Sequence, residues 1–231
     1  VANMTLTFAD ILNKNQDKYK DISFNDDQMA ELRIAAWMHD IGKVTTPVEV
    51  VEKAKKLQTI FDRIEFVDLR LCFIIEQMEK SFLNEKIKIL QNGSDLKKVS
   101  ALENKQKIKR QELMDIRDFI NQCNNPGEFL EDEKIARLEE ISKMTWTDFD
   151  GNEQPFLNDD EVLNLSIRRG SITETERKKM QNHAAVTLKM LQKIPFTKKL
   201  KNIPLYAGAH HEFVNGGGYP LGLKGDEIPF E

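Results

Sequence analysis

LQTIFDRIEFVDLRLCFIIEQM occupies residues 57–78 and carries the clearest period in the chain. Leu57, Ile60, Ile64, Val67, Leu71, Ile74 and Met78 recur at alternating spacings of three and four. An apolar stripe with that spacing lies on one side of an α-helix, and its heptad form resembles a coiled-coil seam. Asn92-Gly93-Ser94-Asp95 then reads as a turn, and a second helix follows with Val99, Leu102, Leu113, Ile116 and Ile120 in a weaker heptad that Gln106 and Lys109 interrupt. Asn124-Asn125-Pro126-Gly127 ends that helix. A shorter one over 131–143 carries Ile135, Leu138 and Ile141. The expectation for this region is a long helical hairpin.

The flanks are helical too. Met4, Phe8, Ile11 and Leu12 predict a helix over 3–18. Asp26 or Asp27 opens a second, which meets a stop at Gly42, and Pro47 suits the first turn of another. Thr173-Glu174-Thr175-Glu176 is a capping box opening a helix with Met180, His183, Val186, Thr187, Met190 and Leu191, which stops before Pro195. Pro204 opens one more, with His210 and His211 near its end. Residues 144–170 read as irregular, and no period-two strand pattern stands out. Asp148-Phe149-Asp150-Gly151-Asn152 has Asp159 where a calcium loop needs a twelfth-position glutamate, so calcium binding is not expected.

Composition narrows the function. A net charge of −4 gives no general attraction for nucleic acid. The basic run Lys97, Lys98, Lys105, Lys107, Lys109 and Arg110 reads as a solvated face balanced by nearby acids. No apolar run is long enough to span a membrane. Cys72 and Cys123 lie far apart and outside any CxxC pattern, which fits a reducing cytoplasm.

The chemistry-bearing residues are few. Four histidines occur in the chain: His39, His183, His210 and His211. All lie in or beside organised segments outside the long charged hairpin. Adjacent residues on a helix diverge by about 100°. A His39-Asp40 pair can therefore approach a metal cluster from two directions, the carboxylate bridging two ions. His210-His211 has the same property. Imidazole with carboxylate suits Fe, Mn, Zn or Ni more than Ca or Mg. Taken singly, a histidine on a helix face is usually structural, a lone lysine a solvated charge, and three glycines a turn. The combination and its order carry the reading.

That combination, "HDIGK" at 39–43, a solitary His183 after "RRGSITETER" at 168–177, and "HHEFVNGGGYP" at 210–220, resembles the HD-GYP branch of the HD phosphohydrolase superfamily. The following "LGLKGDEIP" continues the resemblance, which covers 1–47 and 165–231. It implies an all-α fold: an HD-domain helical core formed by 1–47 and 165–231, with 48–164 as a helical, coiled-coil-like insert and irregular connection. It implies hydrolysis of cyclic di-GMP to pGpG and GMP at a centre of two or three Fe or Mn ions. His39, Asp40, His183, His210 and His211 match the metal ligands, Asp40 as the bridge. Asp40 and Lys43 match the catalytic positions, with Lys43 on a substrate phosphate. Gly218, Tyr219 and Pro220 match the loop that meets substrate, and Glu212 supports it.

Three departures from the family pattern stand out. An upstream His or Glu ligand and an aspartate ligand after "IP" both fall outside residues 1–231, so the expectation is a piece of a longer protein that binds fewer ions and is inactive alone. The short connection after Lys43 is replaced by the insert. Asn215-Gly216-Gly217 stands where Asp-Gly-Thr is commoner. Two further readings remain open: a non-catalytic signalling module acting through the insert, which also offers a surface for a homodimer, and an HD hydrolase of another nucleotide.

Overall fold

The computed structural model describes residues 1–15, 17, 19–93, 95–127 and 129–229. Among the described residues the fold is all-α apart from one two-stranded hairpin. It forms two compact units, Val1–Val51 with Glu174–Glu231, and Glu52–Thr173. Among the described residues, no helix is long and apolar enough to cross a membrane.

The first unit contains α1 (Ala2–Lys14), α2 (Asp26–Met38), the short α3 (Val48–Val51), α8 (Glu174–Leu191) and α9 (Ile203–Gly208). The expected first helix ends at Lys14, earlier than the apolar spacing suggested. Residues 16 and 18, inside that expectation, lie outside the described residues. Asn13 closes the α1–α2 connection by bonding both the N–H and the carbonyl of Phe24. α2 starts on a capping box between Asn25 and Gln28. Gly42 does not cap α2. The helix stops at Met38, and Gly42 sits inside a 3₁₀ turn, Ile41–Thr45, held by the Thr45 hydroxyl on the Gly42 carbonyl.

The core of this unit joins Ala35 of α2, Leu191 of α8, and Ile203 and Ala207 of α9. Small residues at 35 and 207 let α2 and α9 approach closely. Buried Glu31 accepts the N–H and side-chain amide of Asn202, fixing the start of α9 against α2. These contacts set where the segment after α9 emerges.

The second unit is built on α4 (Ile64–Gln91) and α5 (Leu96–Asn124), a long antiparallel pair, with α6 (Asp132–Ser142) and α7 (Asp159–Leu165). The seam begins later than its period implied. Leu57 and Ile60 precede α4, Leu57 fully buried and Ile60 exposed, because Asn124 draws the 57 N–H and the Asp62 carboxylate into a non-helical turn. The expected turn at 92–95 includes Ser94, which lies outside the described residues. Val67, Leu71, Ile74, Ile75, Leu113, Ile120, Leu138 and Leu165 form one core.

The region read as irregular is more ordered than expected. β1 (Thr145–Thr147) pairs antiparallel with β2 (Glu153–Pro155), Trp146 opposite Gln154. Strands of three residues are too short to show a period in sequence. α7 carries a capping box from Asn158 to Glu161. The Asp148 carboxylate accepts the N–H groups of Asp150 and Asn152 and the Gln154 amide, so it serves the hairpin turn.

Candidate metal centre

The end of α2 and the 3₁₀ turn after it present His39, Asp40 and Lys43. α8 presents His183 from one turn inside a buried face, 2% exposed. His210 and His211 lie in a turn just beyond the end of α9, near the helix end where the sequence put them. The three segments meet. His183 Nε2 lies 3.3 Å from His210 Nε2 and 3.3 Å from Asp40 Oδ1. Asp40 Oδ1 is 3.8 Å from His210 Nε2, and Asp40 Oδ2 is 3.1 Å from His39 Nε2. The His183, His210 and His211 rings can each offer a donor atom within 4.8 Å of the others.

One local device repeats three times. The Nδ1 of His39, His183 and His210 lies 2.8, 2.6 and 2.7 Å from the carbonyl three residues earlier, of Ala36, Met180 and Ala207. A carbonyl only accepts, so each Nδ1 carries a proton, and in the neutral ring, the form that binds metal, the Nε2 lone pair faces inward. His183 and His210 then hold two lone pairs 3.3 Å apart. Two such acceptors repel unless a cation or proton lies between them. The donor set, neutral imidazoles with one carboxylate, fits a transition-metal ion.

The electrostatics agree. Burial pushes the Asp40 carboxyl up, but the Lys43 hydrogen bond, then the charges of His39, Lys43 and His183, outweigh it and hold the group below its ordinary value. Burial lowers His210 first, the hydrogen bond to the Ala207 carbonyl partly offsets it, and the charges of His39 and His183 lower it further. His211 is lowered to about 4, by burial first and then by His210 and His183. Both rings are therefore neutral near pH 7, the form that binds metal.

The loop beyond is tied to the same turn. Tyr219 stacks on His211 with ring centroids 4.6 Å apart, and its N–H donates to the His211 carbonyl. A Cβ on Gly218 would lie 2.4 Å from Glu212 Cα and 2.6 Å from the His211 carbonyl, so only glycine lets this backbone cross. Glu212 accepts the N–H groups of Leu221, Gly222 and Leu223, which anchors the segment carrying Pro220. Lys43 Nζ bonds Asp40 Oδ2 at 2.8 Å. Thr187, read from sequence only as part of the α8 face, lies at the junction of α8 and the His39–Gly42 turn. Its place one turn after His183 was the available signal.

Residues 159–231 match the model of the HD domain family. Over 60 residues the chain is 47% identical to the 3′3′-cGAMP-specific phosphodiesterase 3 of Vibrio cholerae, covering 26% of this chain and 12% of that protein. Over 71 residues it is 38% identical to a probable cyclic di-GMP phosphodiesterase of the same organism, covering 29% and 16%.

Residues 159–231 are thus similar to an HD domain.

The chain thus spans about an eighth and a sixth of the length of these two relatives. No solved structure matches it. The family match begins within the second unit and takes in His183, His210, His211 and the Tyr219 loop, while His39 and Asp40 lie before it.

Proposed function

We propose that the protein is a metal-dependent phosphodiesterase that opens a cyclic dinucleotide, with cyclic di-GMP as the substrate and pGpG and GMP as products. The observation that carries the reading is the pair of inward Nε2 lone pairs 3.3 Å apart, each locked by its Nδ1 on a carbonyl and flanked by the Asp40 carboxylate. His39, Asp40, His183, His210 and His211 would hold two or three ions, with Fe or Mn the best fit to the donors. When bound, such ions supply Lewis acidity for phosphate oxygens and a hydroxide at neutral pH.

The chain's own groups do the rest. Lys43 is a point charge with three donors, one now on Asp40, leaving others for a substrate phosphate oxygen. Burial, then Asp40, raises the Tyr219 phenol above its ordinary value, so it stays protonated and donates a hydrogen bond. Gly218 and Glu212 keep that ring against His211. The reading places the protein in the cytoplasm, where exposed Cys72 stays reduced. It also assigns the exposed Leu83, Ile87 and Leu90 stripe of α4 to contact with a second copy; a monomer by light scattering would remove that assignment.

The longer protein to which residues 1–231 belong, loaded with Mn²⁺ or, without oxygen, with Fe²⁺, is incubated with cyclic di-GMP and with 3′3′-cGAMP, and products are separated by chromatography. Cleavage of cyclic di-GMP that disappears in Asp40→Asn is the expected result. Preference for 3′3′-cGAMP would move the substrate to the other relative's class. Cleavage of neither would overturn the reading.

A further inference from the structure

We infer that Thr187 is a positioning residue that fixes the His39–Asp40 pair against His183, an assignment that rests on the metal-dependent reading above. Thr187 is fully buried and sits four residues after His183, on the same side of α8. A buried threonine inside a helix ordinarily bonds the carbonyl four residues back in its own helix. Here that carbonyl would be that of His183 itself. The Thr187 hydroxyl turns away instead, accepting the Gly42 N–H at 2.9 Å and donating to the His39 carbonyl at 3.1 Å.

These two partners bracket Asp40 and Ile41. The His39 carbonyl is among the orphan acceptors left where α2 stops at Met38, and the Gly42 N–H begins the 3₁₀ turn. One hydroxyl thus pins both ends of the two-residue segment that carries Asp40. Gly42 permits this closeness, since a Cβ there would lie 2.0 Å from the His183 carbonyl and 2.7 Å from the Thr187 hydroxyl. The same helical turn fixes His183 relative to Thr187. The Thr187 hydroxyl thus helps set the 3.3 Å spacing of Asp40 Oδ1 and His183 Nε2 while touching neither atom.

Groups that orient metal ligands without binding the ion change affinity by roughly 10–100-fold when removed. The experiment titrates the metal-free protein with Mn²⁺ and reads free ion by electron paramagnetic resonance, beside a thermal melt. Thr187→Val keeps the shape and removes the hydroxyl; Mn²⁺ affinity falls by about 10–100-fold. Thr187→Ser restores both bonds and binds nearly as wild type does. Leu191→Ala lowers the melting temperature from one turn further along α8 yet leaves the affinity unchanged. Thr187→Val that melts early but binds Mn²⁺ as wild type would overturn the inference and leave Thr187 a packing residue. Should Thr187→Val not fold, Thr187→Ser and Thr187→Cys take its place, and equal affinities for those two would overturn it as well. A wild-type protein that takes up no Mn²⁺ defeats the metal reading instead.

Discussion

Gly42→Ala adds one methyl group where the turn after α2 comes closest to α8. The backbone there is not in the left-handed region, so alanine itself is comfortable, and reduced unfolded-chain freedom would favour it by about 0.4–1 kcal/mol. Space opposes it. The new Cβ would lie 2.0 Å from the His183 carbonyl and 2.7 Å from the Thr187 N–H nitrogen, both backbone atoms of α8. Ordinary contact begins at 3.4 Å, so the turn and the helix must separate by about 1.4 Å. Overpacking of this kind costs about 1–3 kcal/mol, which set against the entropic gain leaves a net loss centred on about 1 kcal/mol. At about 4–8 °C per kcal/mol for a small domain, the melting temperature falls visibly. Metal affinity suffers more, because ligand distances tolerate only about 0.2 Å. A Mn²⁺ titration with parallel circular-dichroism melts tests this. Wild-type affinity with an unchanged melt would refute the close-approach argument, since it would mean that α8 and the turn separate freely.

The second unit makes a stability prediction of its own. Arg70 holds buried Glu161 through two hydrogen bonds of 2.8 and 2.9 Å, so Arg70→Ala strands a carboxylate and costs about 3–5 kcal/mol in urea unfolding; a loss under about 1 kcal/mol would show that water reaches Glu161. Glu212→Gln replaces an acceptor facing the Leu223 N–H with a donor or leaves it unmet, loosening the Tyr219 loop; KM rises while Mn²⁺ affinity holds, and an unchanged KM would detach that loop from substrate. Lys56 is buried, and burial pushes its pKa below its ordinary value, while its ammonium donates to the Leu165 carbonyl. The unfolded chain then binds the extra proton, so folding stability gains as pH rises toward about 10, and Lys56→Met removes that gain; equal pH slopes for the two proteins would count against it.

The helices of this protein are written locally. Capping residues such as Asn25, and the apolar period through Val67, Leu71 and Ile74, act within a few residues of themselves, so a linear reading finds them. The short strands around Trp146 escaped because three residues do not make a period, and Leu57 and Ile60 left the seam because Asn124, far along the chain, claims that backbone. The candidate ligands were visible as residue types and order. Their inward lone pairs are half local, since each Nδ1 bonds a carbonyl three residues back.

What sequence alone determined is helical content and a scarce set of imidazoles and carboxylates, because propensity, capping and ligand chemistry belong to single residues and their near neighbours. What only the tertiary structure decided is distance. The approach of Asp40 to His183 depends on a bare Cα at Gly42 and a hydroxyl at Thr187, which lie 145 positions apart. Neither residue announces that role, because close packing is a property of the pair and exists only once the intervening chain has folded away.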